Sequence, residues 1–283
     1  MGGNGFPTPR ASAIGMELRV AREAAGLSVR DLATRIGVHH TTVSRWETGA
    51  RMPKPEDVAG VLVGLGVIDE RRDELIELAR AGDRPQWLGG TQRQVAALLQ
   101  FEAEADRIVH VAPLLIPGLL QTTAYTSAIM EAAGIHSGEM KLRVAVRIGR
   151  RDILVRSGRP RLLALIGEAA LHVQVGGREV MRDQLARLAE VAEWESVDIR
   201  IVPLAAGWHP GLIGPFIVVE RHVGDPVVHL EIHDSGLFLH ESEDTARYRA
   251  AADMVLRSAM DSAQSRGAIA DALKRLATEG NPC

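Results

Sequence analysis

The sequence predicts a mixed fold: an all-α N-terminal domain followed by a larger α/β or α+β domain. Three observations carry that expectation. Short apolar-periodic segments near the start are each closed by a glycine, at Gly26, Gly37 and Gly49. A stretch mixing Pro, Gly and polar groups, DRPQWLGGTQRQV, interrupts the pattern at 83–95. Beyond it, strand-like runs alternate with helix-period segments. The length of 283 residues suits about two domains. The expected layout is a flexible arm at 1–14, a helical domain at 15–82, a linker at 83–95, an α/β domain at 96–272 and a tail at 273–283.

The first helix is read in GMELRVAREAAG, with Leu18, Ala21, Ala25 and Val20 turned inward and Arg19, Arg22 and Glu23 in water. Gly26 stops it. The second, SVRDLATRIG, opens on Ser28 as N-cap, with Asp31 three residues on in the place of the capping-box acid. Such a cap contributes about 1 kcal/mol. Leu32, Ala33 and Ile36 form its apolar side, and Gly37 permits the tight turn that follows. The third runs from about His39 to Glu47 and is closed by Gly49. Val43 and Trp46, three apart, face one way; His40, Thr41, Ser44 and Arg45 lie mostly on the other. After the loop RMPKP come a fourth helix, from Pro55 to about Leu65, and a charged fifth, DERRDELIELARAG.

In the second part, LLQFEAEADRIVH reads as helical, as do the later part of PLLIPGLLQTTAYTSAIMEAAG, the arginine-rich GEMKLRVAVRIGRRDILV and the well-patterned REVMRDQLARLAEVAEW. RPRLLALIG, VDIRIV, PFIVVE and PVVHLEI read as strands between Gly/Pro turns, and ESEDTARYRAAADMVLRSAMDSA as one long final helix.

Charge and cysteine usage narrow the function. The formal net charge is −3, which argues against wholesale binding of polyanions, but the charge is unevenly placed. Residues 1–55 hold eight bases and four acids, and residues 56–80 three bases and seven acids. One face of the first domain is therefore suited to phosphate. There is no apolar run of 18 residues, so no membrane span is expected, and the opening MGGNGFPTPRAS lacks the apolar core of a secretory signal. The one cysteine, Cys283, excludes a disulfide scaffold or a thiolate zinc cluster within one chain and fits a reducing cytoplasm.

Ala33, Gly37 and Val43 supply the small, glycine and aliphatic spacing that lets two helices cross around a tight turn. On these residues, and on the text LRVAREAAGLSVRDLATRIGVHHTTVSRWETGARMP, residues 15–66 resemble the XRE-type (lambda-repressor-like) helix-turn-helix domain. The resemblance implies an all-α DNA reader whose third helix enters the major groove. It implies base-reading roles for His39, His40, Thr41, Ser44 and Arg45, and phosphate contacts from Arg30, Arg51 and Lys54. Val29 stands where such domains often have Gln, and His39-His40 where many have Ser-Arg. Trp46 is expected in the core, and the adjacent His39 and His40 point about 100° apart, which is poor geometry for chelating a metal.

The rest of the chain resembles the WhiJ-like, antitoxin-like class of actinobacterial regulators. The stretches that carry this are FEAEADRIVHVAPLLIPGLLQTTAYTSAIM, GEAALHVQVGGREVMRDQLARLAE, and VDIRIVPLAAGWHPGLIGPFIVVE with PVVHLEI. The resemblance implies a transcriptional regulator, paired in many cases with a small companion protein encoded nearby, and no established ligand. Two segments are candidates for contact with an effector or partner: Leu119, Leu120 and Tyr125 in IPGLLQTTAY, and Trp208 with His209 in the Gly/Pro-rich GWHPGLIGPF. His229, Glu231 and His233 alternate on a strand and would share a face as a metal triad, but alternating polar groups also suit a wet strand face. There is no P-loop, dinucleotide fingerprint or nucleophile elbow. The expectation is a cytoplasmic, nucleoid-associated DNA-binding regulator rather than an enzyme, without metal or cofactor. It is expected to bind a palindromic operator as a homodimer and to be tuned by a companion protein or small-molecule effector, with repression as its output. The alternatives are a small-molecule-responsive regulator and an antitoxin-like protein whose main role is to neutralise a small partner.

Overall fold

The computed structural model describes residues 9–67, 70–80, 86–89, 91–135, 137–232 and 235–278. In chain order its helices and strands begin with α1 (Pro9–Ala24), α2 (Val29–Ile36), α3 (His40–Glu47), α4 (Pro55–Gly64) and α5 (Glu70–Arg80). Then follow β1 (Gln86–Gly89), α6 (Thr91–Ala103), β2 (Ala105–Ala112), α7 (Thr123–Ala132), α8 (Ser137–Gly149) and β3 (Arg161–Gly167). The chain continues with α9 (Arg178–Val191), β4 (Val197–Val202), β5 (Phe216–Arg221), β6 (Val227–Ile232) and β7 (Ser235–Leu239). It closes with α10 (Ser242–Ser258) and α11 (Ser262–Thr278). The chain divides into two compact units, one of Met1–Glu104 with Arg221–Thr245 and the other of Ala105–Glu220 with Ala246–Cys283.

The first unit opens with the helical bundle. Ile14, Leu18, Leu32, Val43, Trp46 and Leu62 meet in its core. Eight-residue helices such as α2 and α3 are too short to stand alone in water, so this shared core holds them. Helix α1 starts at Pro9, inside the segment expected as a loose arm, and Ala11, Ala13 and Ile14 are buried. The expected linker likewise contains β1 and the start of α6. Strand β1 pairs antiparallel with β7, and β7 with β6. Phe101 of α6 is fully buried, 6.0 Å from the Phe238 ring, with the Arg221 guanidinium 5.1 Å above it.

In the second unit the strands run in the order β5-β2-β3-β4. The three strands β2, β3 and β4 are parallel, with Ile108 opposite Leu162 and Ala164 opposite Ile199. The near-continuous apolar runs in β2 and β3 are what a sheet covered on both faces requires. Helices α9 and α11 pack together, and α11 also lies against β4.

Three expectations fail here. The sequence reads ADRIVH as the end of a helix, yet α6 stops at Ala103 and β2 begins at Ala105. Five consecutive buried residues, 108–112, demand cover on both sides, which a helix with one apolar stripe does not give. The final helix expected over 241–263 ends at Ser258, and a further helix, α11, follows from Ser262. Asp261 caps α11, accepting from Gln264 N–H at 2.7 Å while its own N–H donates to the Gln264 side chain at 3.0 Å. The tail expected from 273 is helical through Thr278, anchored by buried Leu276.

Candidate nucleic-acid interface

Helix α2 starts at a reciprocal cap. Ser28 Oγ accepts from Asp31 N–H at 3.2 Å, and Asp31 Oδ2 accepts from Ser28 N–H at 2.9 Å. The Ser28 hydroxyl and the Ser28 backbone N–H, both beside the Asp31 carboxyl, hold it below its ordinary pKa. At the other end Gly37 takes φ +72°, and Val38 N–H returns to the Ala33 carbonyl at 3.0 Å. The turn brings α3 across α2 with Leu32, Ala33, Val43 and Trp46 buried.

Helix α3 is fixed from behind by three close contacts with α1 and its flanks. A Cβ on Gly15 would stand 2.3 Å from the Trp46 carbonyl oxygen, so the α1 backbone passes almost against the last turn of α3. Gly49, at φ +70°, leaves no room beside Ser12. Arg22 grips Glu47 with two bonds, Nε to Oε1 at 2.7 Å and Nη2 to Oε2 at 2.9 Å, while Nη1 donates to the Leu27 carbonyl at 2.7 Å. Both side chains are nearly buried. The hydrogen bond to Glu47 raises the Arg22 pKa against the opposing effect of burial, so the charge is retained. Removing one partner of such a pair costs roughly 3–5 kcal/mol. Arg22 was expected in water. It instead falls on the Leu18 side of α1, four residues on, and that spacing was the signal for burial.

The opposite face of α3 is open. His39, His40, Thr41, Ser44 and Arg45 are all exposed, as are Arg30, Arg51 and Lys54. His39 is the N-cap of α3. Its Nδ1 lies 3.4 Å from Thr41 N and 2.8 Å from Thr41 Oγ1. A backbone N–H can only donate, so Nδ1 accepts and Nε2 carries the proton, at the far edge of the ring. The His40 ring lies against it with centroids 4.3 Å apart. Arg30, Arg35, Arg45, Arg51 and Lys54 form no side-chain hydrogen bond or ion pair among the described residues. Other arginines of α1 and α5 differ: Arg19 pairs with Glu23, Arg71 with Glu17, Arg72 with Asp73 and Arg80 with Glu77. Unneutralised positive charge is thus concentrated on α2, α3 and the loop after them. Sequence reasoning singled out four of these five cations and passed over Arg35, in the last turn of α2.

Comparison with known families agrees with this geometry. Residues 13–75 match the model of a helix-turn-helix domain. Residues 95–271, more than half of the chain, match the model of a domain of unknown function, DUF5753. The chain belongs to the DUF5753 family. No curated protein and no solved structure matches it. The helix-turn-helix match supports a DNA-binding regulator. No helix among the described residues is long and apolar enough to cross a membrane.

The DUF5753 region corrects the effector candidates. Leu119, Leu120 and Tyr125 are buried core, not an open docking surface. Two glutamines turn the segment inward. Gln121 Nε2 donates to the Ile116 carbonyl at 2.8 Å, and Gln184 Nε2 to the Leu120 carbonyl at 2.9 Å. Gln184 Oε1 accepts from Thr122 N–H at 2.7 Å. Burial raises the Tyr125 pKa. The other pair separates: Trp208 is 70% exposed, whereas His209 is buried and its pKa is lowered by desolvation. Of the alternating triad, His229 is buried with its ring 4.5 Å from that of Phe238, and Glu231 is exposed. His233 and Cys283 lie outside the described residues. Among the described residues no group of three His, Cys, Asp or Glu could hold a metal ion.

Proposed function

We propose that this protein is a sequence-specific transcriptional regulator whose helix α3 reads operator DNA. The observation that carries the reading is the pairing of a rigidly backed α3 with an open outer face bordered by unpaired cations. Arg45 forks to a guanine edge, and Ser44, Thr41, His40 and His39 supply the neighbouring contacts. Arg30, at the start of α2, and Arg51 with Lys54 beyond α3 grip phosphates on either side. The operator is two-fold and bound by two copies, and the output is repression at its own or a neighbouring promoter. The DUF5753 region answers to a small companion protein or an effector, as the resemblance to WhiJ-like, antitoxin-like regulators implies, and performs no catalysis.

Fluorescence anisotropy on DNA from just upstream of its own gene tests this, with scrambled DNA as competitor and at two salt concentrations. Wild type should prefer the upstream DNA by about 10³-fold or more. Ser44→Ala/Arg45→Ala should lose most of that preference. Equal, weak, salt-dependent binding to all DNA by both proteins would sink the proposal.

A further inference from the structure

We propose that the carboxyl-end edge of the parallel strands β2, β3 and β4 is a docking face for a second copy of this chain. Being parallel, the three strands end on one edge, at Ala112, Gly167 and Val202. The segments that follow them are tied together there. Gly167 lies so close beneath the chain after β2 that a Cβ would sit 2.2 Å from the Pro113 carbonyl oxygen. Leu204 N–H donates to Glu168 Oε2 at 2.9 Å, which holds the start of the β4–β5 connection over the end of β3. Further along, Gly211 packs against Val111 in β2 and against the His209 ring, each 3.0 Å from its Cβ position. The connection 203–215 therefore runs back across the ends of β3 and β2 before entering β5.

This edge leaves apolar side chains in water. Leu204, Trp208 and Ile213 are 72%, 70% and 81% exposed, and Leu114, Leu115 and Leu212 are also open. Their individual exposures sum to roughly 700–800 Å², comparable to one side of a standard interface. Five prolines, at 113, 117, 203, 210 and 215, stiffen the segments, so little conformational freedom is lost on docking.

The charge pattern selects the occupant. Neither 113–117 nor 203–215 contains an Asp, Glu, Lys or Arg, and the one histidine there, His209, is buried. The charges beside these segments are engaged within the chain, Glu168 by the Leu204 N–H and Arg275 by His172, so a phosphate-rich or charged partner would find few groups to pair with. In a two-fold contact the groups near the axis meet their own copies, and there like charges would repel; segments without charge are compatible with themselves. The use of the dimer, two α3 helices on one operator, rests on the function proposed above, whereas the interface does not.

Sedimentation velocity of the full chain without DNA, from low to high micromolar concentration, tests the face. Wild type should sediment as a dimer of the 30.6 kDa chain. Trp208→Glu/Ile213→Glu should sediment as a monomer that still melts cooperatively, its self-association weakened at least ~100-fold. Val63→Glu, exposed on α4, should remain dimeric. Should the double variant misfold, Leu204→Asp gives the same reading. A monomeric wild type, or a variant on this edge that stays dimeric while folded, overturns the proposal. A dimeric wild type that loses its mass in these variants but binds no DNA supports the interface and overturns the DNA-reading function instead.

Discussion

His39 has two jobs that single substitutions can separate. Its Nδ1 caps α3 through Thr41, and its Nε2–H faces outward as a donor. A serine keeps a capping oxygen but has no ring, and an alanine keeps neither. His39→Ser should therefore leave stability within about 0.5 kcal/mol of wild type, while His39→Ala should cost about 1 kcal/mol. Both should weaken operator binding alike, by roughly 1–3 kcal/mol, because both remove the donor that suits a purine N7 or O6. Thermal melts and anisotropy on the same two variants check this. Operator binding by His39→Ser at wild-type strength would reduce the ring to a cap. The outward residues of α3 were legible because Val43 and Trp46 mark the inward side. Arg22 was not, because an arginine counts as wet until its partner is known, and Glu47 lies 25 residues away.

At the scale of elements, helices with local signals were readable and those fixed by distant packing were not. Ser28, Asp31 and Gly37 set the ends of α2 within their own stretch of chain, and the structure keeps them there. Strand β2 has no such markers; its identity comes from β3, more than 50 residues on. Strand β1 was missed for the same reason, since its partner β7 lies far along the chain; β7, five residues long and paired with β6 as well, was missed because so short a run carries little pattern. The approach of α1 to α3 is a further case, with Gly15 looking like any helical glycine in sequence. Gly15→Ala should force α3 outward against the Trp46 carbonyl, cost about 1–3 kcal/mol and weaken DNA binding. Gly60→Ala, in α4 with nothing within 4 Å of its Cβ position, should stabilise by up to about 1 kcal/mol and leave binding alone. Equal effects of the two substitutions would mean that helix propensity, not the α1–α3 contact, governs position 15.

Across the whole molecule the charge works by placement. A chain of net charge −3 is repelled by DNA on average, so attraction has to come from the face where positive charge is left unneutralised. That face holds Arg30, Arg35, Arg45, Arg51 and Lys54, while Arg19 and Arg22 of α1 and Arg71, Arg72 and Arg80 of α5 are paired with acids. Each phosphate neutralised releases counterions and adds about 0.9 to the slope of log affinity against log salt. Arg51→Ala/Lys54→Ala should lower that slope by about 2 per chain and weaken operator and scrambled DNA by the same factor, leaving their ratio intact. Arg45→Ala should act chiefly on the ratio, and Arg19→Ala, which removes a cation already held by Glu23, on neither. A salt titration of the four proteins on both DNAs separates the contributions. If Arg19→Ala lowered the slope as much as the Arg51/Lys54 pair, net charge rather than its placement would drive binding, and α3 would lose its claim to be the contact face.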